Sequence, residues 1–212
     1  MKKLEGKVAI VTGSSNGIGM GIAKMFAAEG AKVLLAARRK AELEAVAAGI
    51  REKGGEALPF PGDITQEDHV IAMFRKAHET WGRIDILVNN AGVIHRAPIV
   101  DTETKDYRKV IETDLIGPFA LAREVGRHML AREYGRIVNI SSVMAILGRA
   151  SVAGYVSAKH GLVGLTKNLA AEYGPHVTAN AIAPGFMRTE FTAALQKNDA
   201  FSGMLEQRTA VH

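Results

Sequence analysis

The sequence predicts an α/β protein built on a doubly wound parallel sheet, with helices on both faces. Six short apolar runs typical of buried strands alternate along the chain with amphipathic segments typical of helices. Parallel strands need crossover connections, which such an alternation supplies. The chain has 212 residues, of which 47% are hydrophobic and 23% charged, so it can bury the core of one globular domain. No stretch has the composition of a linker, and we therefore expect a single domain over residues 1–212.

Three strand and helix pairs are expected in the first part of the chain. The strands are predicted at residues 8–11, 32–37 and 57–60. Helices are predicted at about 17–29 and about 40–53, where glycines at 30 and at 54–55 end the pattern. A third helix is expected after Thr65, a residue type that caps helix amino termini.

The same alternation continues in the second part of the chain. Strands are predicted at residues 84–88, 136–140 and 177–182, and the segments 102–130 and 152–173 are predicted to be mostly helical. After Gly185 the periodicity fails. The scattered apolar residues that follow predict an irregular or short-helical flap over about 186–205, lying beside a substrate site.

The composition excludes several classes of function. With 27 Lys and Arg against 22 Asp and Glu the formal charge is +5, but the basic residues are scattered, so we expect no nucleic-acid partner. The absence of cysteine excludes a disulfide framework and a thiol nucleophile. The 7 histidines lack metal-ligand spacing, which predicts no metal site. No apolar run is long enough to span a bilayer and no signal peptide is apparent, so we expect a cytoplasmic protein without a membrane partner.

A glycine-rich turn follows the first predicted strand. Gly13, Gly17 and Gly19 lie where a tight turn, a close backbone approach to a ligand and close helix packing need residues without a side chain. The helix that begins here offers free N–H groups to a pyrophosphate. Such turns also occur without a ligand, so this motif alone does not distinguish a dinucleotide site from a structural turn.

The residues after the second strand predict the type of coenzyme. This strand ends at Ala37 and is followed by Arg38 and Arg39. An acidic residue here would bind a ribose 2′-hydroxyl, whereas two cations suit a 2′-phosphate, which favours NADP(H) over NAD(H). The alternative is that both arginines begin a solvent-exposed helix. Asp63 and the run 89–92 follow the third and fourth strands at the sheet edge where open sheets bind ligands, although both are also turn-forming sequences.

Three polar side chains are expected at the same edge of the predicted sheet. Tyr155 and Lys159 are four residues apart and so share a helix face, and Ser142 follows the strand 136–140. A carbonyl that accepts a hydride needs a proton donor, and a phenol can serve when a nearby cation lowers its pKa. Tyr155 is therefore the candidate acid and base, with Lys159 as the cation. The alternative is that such a pair is ordinary surface decoration.

Taken in order, these motifs resemble the short-chain dehydrogenase/reductase family. The chain carries Thr12-Gly13-x-x-x-Gly17-x-Gly19, Asn89-Asn90-Ala91-Gly92, Ser142, Tyr155-x-x-x-Lys159, and Asn180-x-x-x-Pro184-Gly185 followed by Thr189. The resemblance spans nearly the whole chain. It implies a Rossmann-type fold and an NAD(P)-dependent oxidoreductase that acts on a CH–OH group.

The resemblance also implies roles for individual residues. Tyr155 is the general acid and base, Ser142 holds the substrate oxygen, and Lys159 binds the nicotinamide ribose and lowers the pKa of the phenol. The residues expected to contact NADP(H), with NAD(H) as the alternative, are Gly13, Ser15, Asn16, Gly17, Ile18, Gly19, Arg38, Arg39, Asp63, Ile64, Asn89, Ala91, Gly92, Tyr155, Lys159, Pro184, Gly185 and Thr189.

Within the family, the chain is similar to gluconate 5-dehydrogenases. The similarity lies in residues 92–96, 147–149 and 189–209. Arg96 and Arg149 are expected to clamp a carboxylate at the mouth of the site, with Ser142 and Phe186 as further substrate contacts. This indicates hydride transfer between NADP(H) and a small polar carbonyl or alcohol such as 5-keto-gluconate or gluconate. Two alternatives stay open: a 3-oxoacyl-carrier-protein reductase, which shares the family motifs, and a dinucleotide-binding protein without catalysis.

Two features depart from the family pattern. Asp114, a fourth candidate catalytic residue, stands where the family usually has an asparagine that holds a water, and its charge is expected to oppose formation of tyrosinate. The chain is also shorter than is usual in the family. Either the sequence is a piece of a longer protein, or the protein has lost the family's seventh strand. In the second case the sixth strand is expected to be an exposed edge. A homo-oligomer, either a dimer or a tetramer, is expected if the carboxyl terminus is complete in the native protein.

Overall fold

The structure, a computed structural model, describes residues 2–193 together with Gly203 and Gln207. Its strands are β1 (Val8–Thr12), β2 (Lys32–Ala37), β3 (Glu56–Pro61), β4 (Ile86–Asn89), β5 (Gly135–Ile140) and β6 (Val177–Ile182). Its helices are α1 (Gly17–Ala28), α2 (Lys40–Arg51), α3 (Glu67–Trp81), α4 (Thr104–Ile111), α5 (Gly117–Ala131) and α6 (Ala153–Tyr173). All the strand pairs are parallel, so the predicted fold class is confirmed.

The order of the strands determines where a site can form. The sheet runs β3-β2-β1-β4-β5-β6, so the chain first builds outward from β1 and then returns to add β4 on the other side of β1. At such a switch point the connections leave toward opposite faces and open a crevice at the carboxyl ends of the strands. A ligand site is therefore expected where β1, β4 and β5 end.

Each face of the sheet buries its own apolar core. On one face, Ala9 and Val11 of β1 pack with side chains of α1 and α2 such as Leu43. On the other face, Ile10 packs with α3, α5 and α6 through residues such as Met73. Successive side chains of a strand point to opposite faces, so a sheet buried on both sides needs continuous apolar strands. This explains the apolar runs in the sequence.

The segment predicted as helix over 102–130 is divided in the structure. A π-helical turn over Glu112–Ile116 joins α4 to α5, and Asp114 is buried within it. A π turn has a wider hydrogen-bonding register than an α turn, so it changes the direction in which a side chain points. Hydrophobic periodicity averaged over the whole segment does not detect such a local change.

The region after β6 is described in part. The chain is irregular from 183 to 189 and then forms a 3₁₀ turn over Glu190–Thr192, where Thr189 and Thr192 cap each other. The predicted flap over about 186–205 is described as far as residue 193 and at Gly203, and its other residues lie outside the described chain. Within residues 2–193 the sheet has six strands, and β6 is one of its edges. None of the described helices is long and apolar enough to cross a membrane.

Candidate active site

A cleft of about 620 Å³ runs along the carboxyl ends of the central strands. Every residue predicted for the site lines this cleft, except Gly19 and Asn89. One continuous surface therefore joins the glycine turn and Arg38 at one end to Ser142 and Tyr155 at the other. The sequence prediction that these distant segments converge agrees with this placement.

The glycine turn after β1 brings backbone N–H groups to the cleft. Gly13 and Gly17 have φ angles of +66° and +55°, which glycine adopts without strain. A Cβ on Gly13 would lie 2.8 Å from the Cα of Ala91, so only glycine lets the turn pass so close to the segment after β4. The side-chain amide of Asn90 donates to the carbonyl of Thr12 at 2.9 Å and fixes the turn from the other side. The start of α1, which lines the cleft, and this cradle without side chains fit a pyrophosphate group.

Two residues predicted to contact the coenzyme do not line the cleft. Gly19 is packed beneath the turn, where a Cβ would collide with the side-chain nitrogen of Asn90 and the carbonyl of Gly13. Asn89 is 2% exposed, and its amide donates to the side-chain oxygen of Asn139 at 2.8 Å. Both residues lie behind the surface that lines the cleft, and their contact with the coenzyme stays a prediction.

Arginines and one unpredicted carboxylate form the end of the cleft beside β2. Arg38 and Arg39 are exposed, and a guanidinium nitrogen of Arg39 lies 3.4 Å from the hydroxyl of Ser15. The same nitrogen lies 3.4 Å from a carboxylate oxygen of Glu190, and the amide of Asn16 donates to that oxygen. No role for Glu190 was predicted. Its position in the sequence, directly after the predicted coenzyme contact Thr189, could have indicated that Glu190 also lies beside the glycine turn.

Asp63 lies at the end of β3 and shapes the neighbouring wall. One of its carboxylate oxygens accepts hydrogen bonds from the backbone N–H and the hydroxyl of Thr65, at 3.0 and 2.9 Å. Ile64 is buried beside it. Both the turn-forming and the cleft-lining interpretations of Asp63 therefore fit the structure.

Ser142, Tyr155 and Lys159 lie together where β5 and α6 meet. Ser142 is buried just beyond the end of β5, and its hydroxyl accepts a hydrogen bond from the N–H of Met144 at 3.1 Å. The ammonium of Lys159 lies 5.4 Å from the centre of the Tyr155 ring and donates to the carbonyl of Ile140 at 3.1 Å. Lys159 itself is 4% exposed. The cation is thus held in place beside the phenol rather than free in solvent.

Asp114 contacts the same lysine from the π-helical turn. One carboxylate oxygen lies 3.2 Å from the ammonium of Lys159, and the other accepts a hydrogen bond from the N–H of Val93 at 2.7 Å. Burial raises the pKa of Asp114, while the positive charge of Lys159 and the N–H of Val93 act in the opposite direction. Asp114 therefore forms a direct ion pair with Lys159, a contact that was not predicted.

The mouth of the cleft carries positive charge. The guanidinium of Arg149 lies 5.4 Å from the centre of the Phe186 ring. Arg96 and Arg149 both line the cleft. Burial lowers the pKa of Arg149, and the like charge of Arg96 lowers it further. Among the described residues, five basic side chains line the cleft against three acidic ones: Arg38, Arg39, Arg96, Arg149 and Lys159 against Asp63, Asp114 and Glu190.

Known proteins are similar to this chain in sequence and in structure. The family described as short chain dehydrogenase matches residues 7–200. A gluconate 5-dehydrogenase of Gluconobacter oxydans is 38% identical over 207 residues, covering 97% of this chain and 81% of that protein. A 3-oxoacyl-[acyl-carrier-protein] reductase of Vibrio cholerae is 39% identical over 209 residues, covering 98% of this chain and 81% of that protein. The crystal structure of a gluconate 5-dehydrogenase from Burkholderia cenocepacia, in complex with NADP and tartrate, matches with a TM-score of 0.92 at 37% identity and covers 97% of this chain and 81% of that chain.

Proposed function

The chain belongs to the short-chain dehydrogenase family and is an oxidoreductase acting on CH–OH groups, and we propose that it transfers a hydride between NADP(H) and a small polar substrate that bears a carboxylate. The observation that carries this proposal is the single cleft in which Tyr155, Lys159 and Ser142 lie beside a glycine turn, with Arg96 and Arg149 at the mouth. Gluconate and 5-keto-gluconate are the substrate pair that we favour.

The proposed coenzyme is supported by the residues at the end of β2. Ala37 stands where a carboxylate would bind a ribose 2′-hydroxyl, and Arg38 and Arg39 offer charge to a 2′-phosphate. The glycine turn and the start of α1 would hold the pyrophosphate, and Asp63 and Ile64 would lie beside the adenosine. When bound, the coenzyme supplies or accepts the hydride. NAD(H) is the alternative, and the arginines argue against it.

The proposed mechanism assigns the proton to Tyr155. In carbonyl reduction the phenol donates its proton to the substrate oxygen, and in alcohol oxidation the phenolate takes it back. Lys159 favours the phenolate because its ammonium is fixed beside the ring. Ser142 holds the substrate oxygen through its hydroxyl. Their position at the end of β5 and the start of α6 keeps these groups on rigid elements.

The proposed substrate class is supported by the charge at the mouth. Arg149 is half-buried and Arg96 is exposed. Two neighbouring like charges are stabilised when an anion lies between them, and a guanidinium binds a carboxylate through two parallel hydrogen bonds. Arg96 and Arg149 would therefore select an acidic substrate, with Phe186 packed against Arg149. A 3-oxoacyl thioester is the competing substrate, because the Vibrio cholerae relative is as similar in sequence as the Gluconobacter oxydans relative.

A substrate panel tests this proposal. The purified protein is assayed for coenzyme oxidation or reduction with gluconate, 5-keto-gluconate, uncharged keto-sugars and an acetoacetyl thioester, each with phosphorylated and non-phosphorylated coenzyme. We expect the highest kcat/KM for a sugar acid with NADP(H), and a loss of at least about tenfold in Arg149→Ala, about 1.4 kcal/mol. Arg188→Ala is the matched control, since this arginine does not line the cleft. Preference for the thioester, or equal rates with uncharged keto-sugars, would overturn the proposed substrate class.

We also propose that the protein is a cytoplasmic homo-oligomer, a dimer or tetramer. The support for assembly is apolar surface at the start of α5, where Ile116 and Phe119 are 42% and 46% exposed. The support for location is the proposed coenzyme, an intracellular metabolite. Light scattering after size-exclusion chromatography should give a dimeric or larger mass that falls in Phe119→Glu. A wild-type monomer at micromolar concentration would contradict the assembly.

A further inference from the structure

Two buried charges meet behind the proposed catalytic phenol. The carboxylate of Asp114 lies 3.2 Å from the ammonium of Lys159, and the side chains of these residues are 0% and 5% exposed. Lys159 faces Tyr155 on one side and Asp114 on another. The charge that should act on the phenol is therefore shared with a carboxylate.

The pair is held rigidly on both sides. One oxygen of Asp114 is bound by the N–H of Val93, and its other oxygen is packed so close to Gly92 that a Cβ there would lie 2.8 Å from it. The ammonium of Lys159 is bound by the carbonyl of Ile140 at 3.1 Å. Neither group can turn away from the other without breaking a buried hydrogen bond.

The carboxylate of Asp114 is faced by α6, by the segment after β4 and by its own turn. From α6 it faces Lys159, with Tyr155 on the same helix beyond the ammonium. From the segment after β4 it faces only the backbone of Gly92 and Val93. Its own turn carries Glu112 as the other ionisable group. Of these, Lys159 is the charged side chain in contact with it.

The distance to the phenol is short enough for the carboxylate to matter. The 3.2 Å and 5.4 Å separations place the nearer carboxylate oxygen no more than about 8.6 Å from the centre of the Tyr155 ring. In a site from which water is excluded, a carboxylate at that distance disfavours a second negative charge on the phenol. Burial excludes the counter-ions that would screen an exposed pair.

We propose that Asp114 is a positioning residue that acts through Lys159: it holds the ammonium between the Ile140 carbonyl and itself and offsets part of the positive charge felt by Tyr155. The phenol therefore ionises at a higher pH than an uncharged residue at 114 would allow. As a result, alcohol oxidation, which needs the phenolate to take the hydroxyl proton, is displaced toward alkaline pH. This inference rests on the proposed role of Tyr155 as acid and base, and it adds the group that sets the working pH of that role.

The test measures the ionisation of Tyr155 without substrate or coenzyme. Tyrosinate absorbance is followed during alkaline titration of the wild type and of Asp114→Asn, each against the same protein carrying Tyr155→Phe. We expect the pKa of Tyr155 to fall by about one unit or more in Asp114→Asn. Glu112→Gln is the matched control, because it removes a negative charge from the same turn without touching Lys159, and it should leave the pKa within about 0.3 unit.

A second variant and a kinetic readout complete the test. Asp114→Ser makes the same change of charge with a smaller side chain and should lower the pKa of Tyr155 in the same direction. In kcat/KM for alcohol oxidation, the rise with pH should move to lower pH by the same amount in both variants. An unchanged or raised pKa of Tyr155 in the folded variants would overturn the inference. Because the titration uses no substrate, that result is distinct from a failure of the proposed activity, which the substrate panel would reveal.

Discussion

The residue that most clearly sets the chemistry of the site is Lys159, a cation buried between a carbonyl and a carboxylate. The i, i+4 spacing of Tyr155 and Lys159 and the end of the preceding strand predicted that Ser142, Tyr155 and Lys159 lie at one edge of the sheet, and all three line the same cleft. The spacing does not predict that Asp114 also contacts the ammonium of Lys159, because a π turn cannot be recognised from the pattern of hydrophobic residues. Glu190 was not predicted for a similar reason, because side chains on an irregular segment follow no hydrophobic periodicity.

A double-mutant cycle tests the buried pair. Lys159→Met should lower the free energy of unfolding by about 3 kcal/mol or more, because it leaves the Asp114 carboxylate buried without its partner. Adding Asp114→Asn to Lys159→Met should recover at least about 1 kcal/mol, since the uncompensated charge is then gone. Urea unfolding near neutral pH measures both values. Simply additive losses would show that the two groups do not act as an ion pair.

The contribution of Arg39 to coenzyme choice can be measured by equilibrium binding. Arg39→Ala should weaken NADPH binding by about tenfold, or about 1.4 kcal/mol, because it removes the charge expected to meet the 2′-phosphate. Binding of NADH, which lacks that phosphate, should change by less than about twofold. Lys40→Ala is the control, since Lys40 is a neighbouring exposed cation that does not line the cleft. Equal losses for both coenzymes would contradict the assignment.

At the scale of the elements, β1 is tied to β4 by a charged cluster at the amino ends of the strands. Asp85, just before β4, accepts hydrogen bonds from the N–H of Val8 at 2.9 Å and from Arg83 and Arg132. Burial alone would raise the pKa of Asp85, but these hydrogen bonds outweigh it and hold the pKa below its usual value. The cluster lies at the end of the sheet opposite to the cleft and so contributes to stability rather than chemistry.

This cluster predicts an acid-sensitive contribution to folding. A carboxylate with a lowered pKa in the folded state stabilises it above the unfolded pKa of about 3.9, and this stabilisation is lost as the pH falls through the folded value. Asp85→Asn should therefore lower the free energy of unfolding by about 1.5 to 3 kcal/mol at neutral pH. The difference from wild type should shrink below about pH 4. A difference independent of pH would show that the charge of Asp85 is not responsible.

Strand positions were predicted more accurately than the roles of strand-end residues. The apolar runs placed all six strands within two residues of their observed bounds, because a sheet buried on both faces needs continuous apolar segments. The last residue of a strand can point either into the crevice or into the layer of helices, and the sequence around Asn89 does not distinguish the two directions. Its side chain points toward Asn139 in the buried layer, a direction that depends on the register with β5.

At the scale of the whole molecule, the described residues form one sheet whose switch point opens the cleft and whose two faces each bury an apolar core. The reversal of strand order beside β1 brings the ends of β1, β4 and β5 together, which is why motifs more than a hundred residues apart line the same cleft. The alternation of strands and helices predicted this class of fold. The segment after β6 was predictable only as irregular, and much of it lies outside the described residues.

The proposal of a single domain over residues 1–212 predicts one cooperative unfolding transition. The two cores lie on opposite faces of the same strands, so neither can lose its packing while the other is kept. Fluorescence of Trp81 on α3 and far-ultraviolet circular dichroism should therefore give coincident transitions in urea. Two separated transitions would contradict the single domain.

The measurement that tests the account most directly is the activity of Tyr155→Phe, because every step proposed for this site passes the proton through that phenol. Turnover should fall by about a thousandfold, while the dissociation constant for NADPH stays within about threefold of wild type. Tyr107→Phe, which changes an exposed tyrosine on α4, should keep full activity. Turnover within about tenfold of wild type in Tyr155→Phe would contradict the assignment of the proton to this residue.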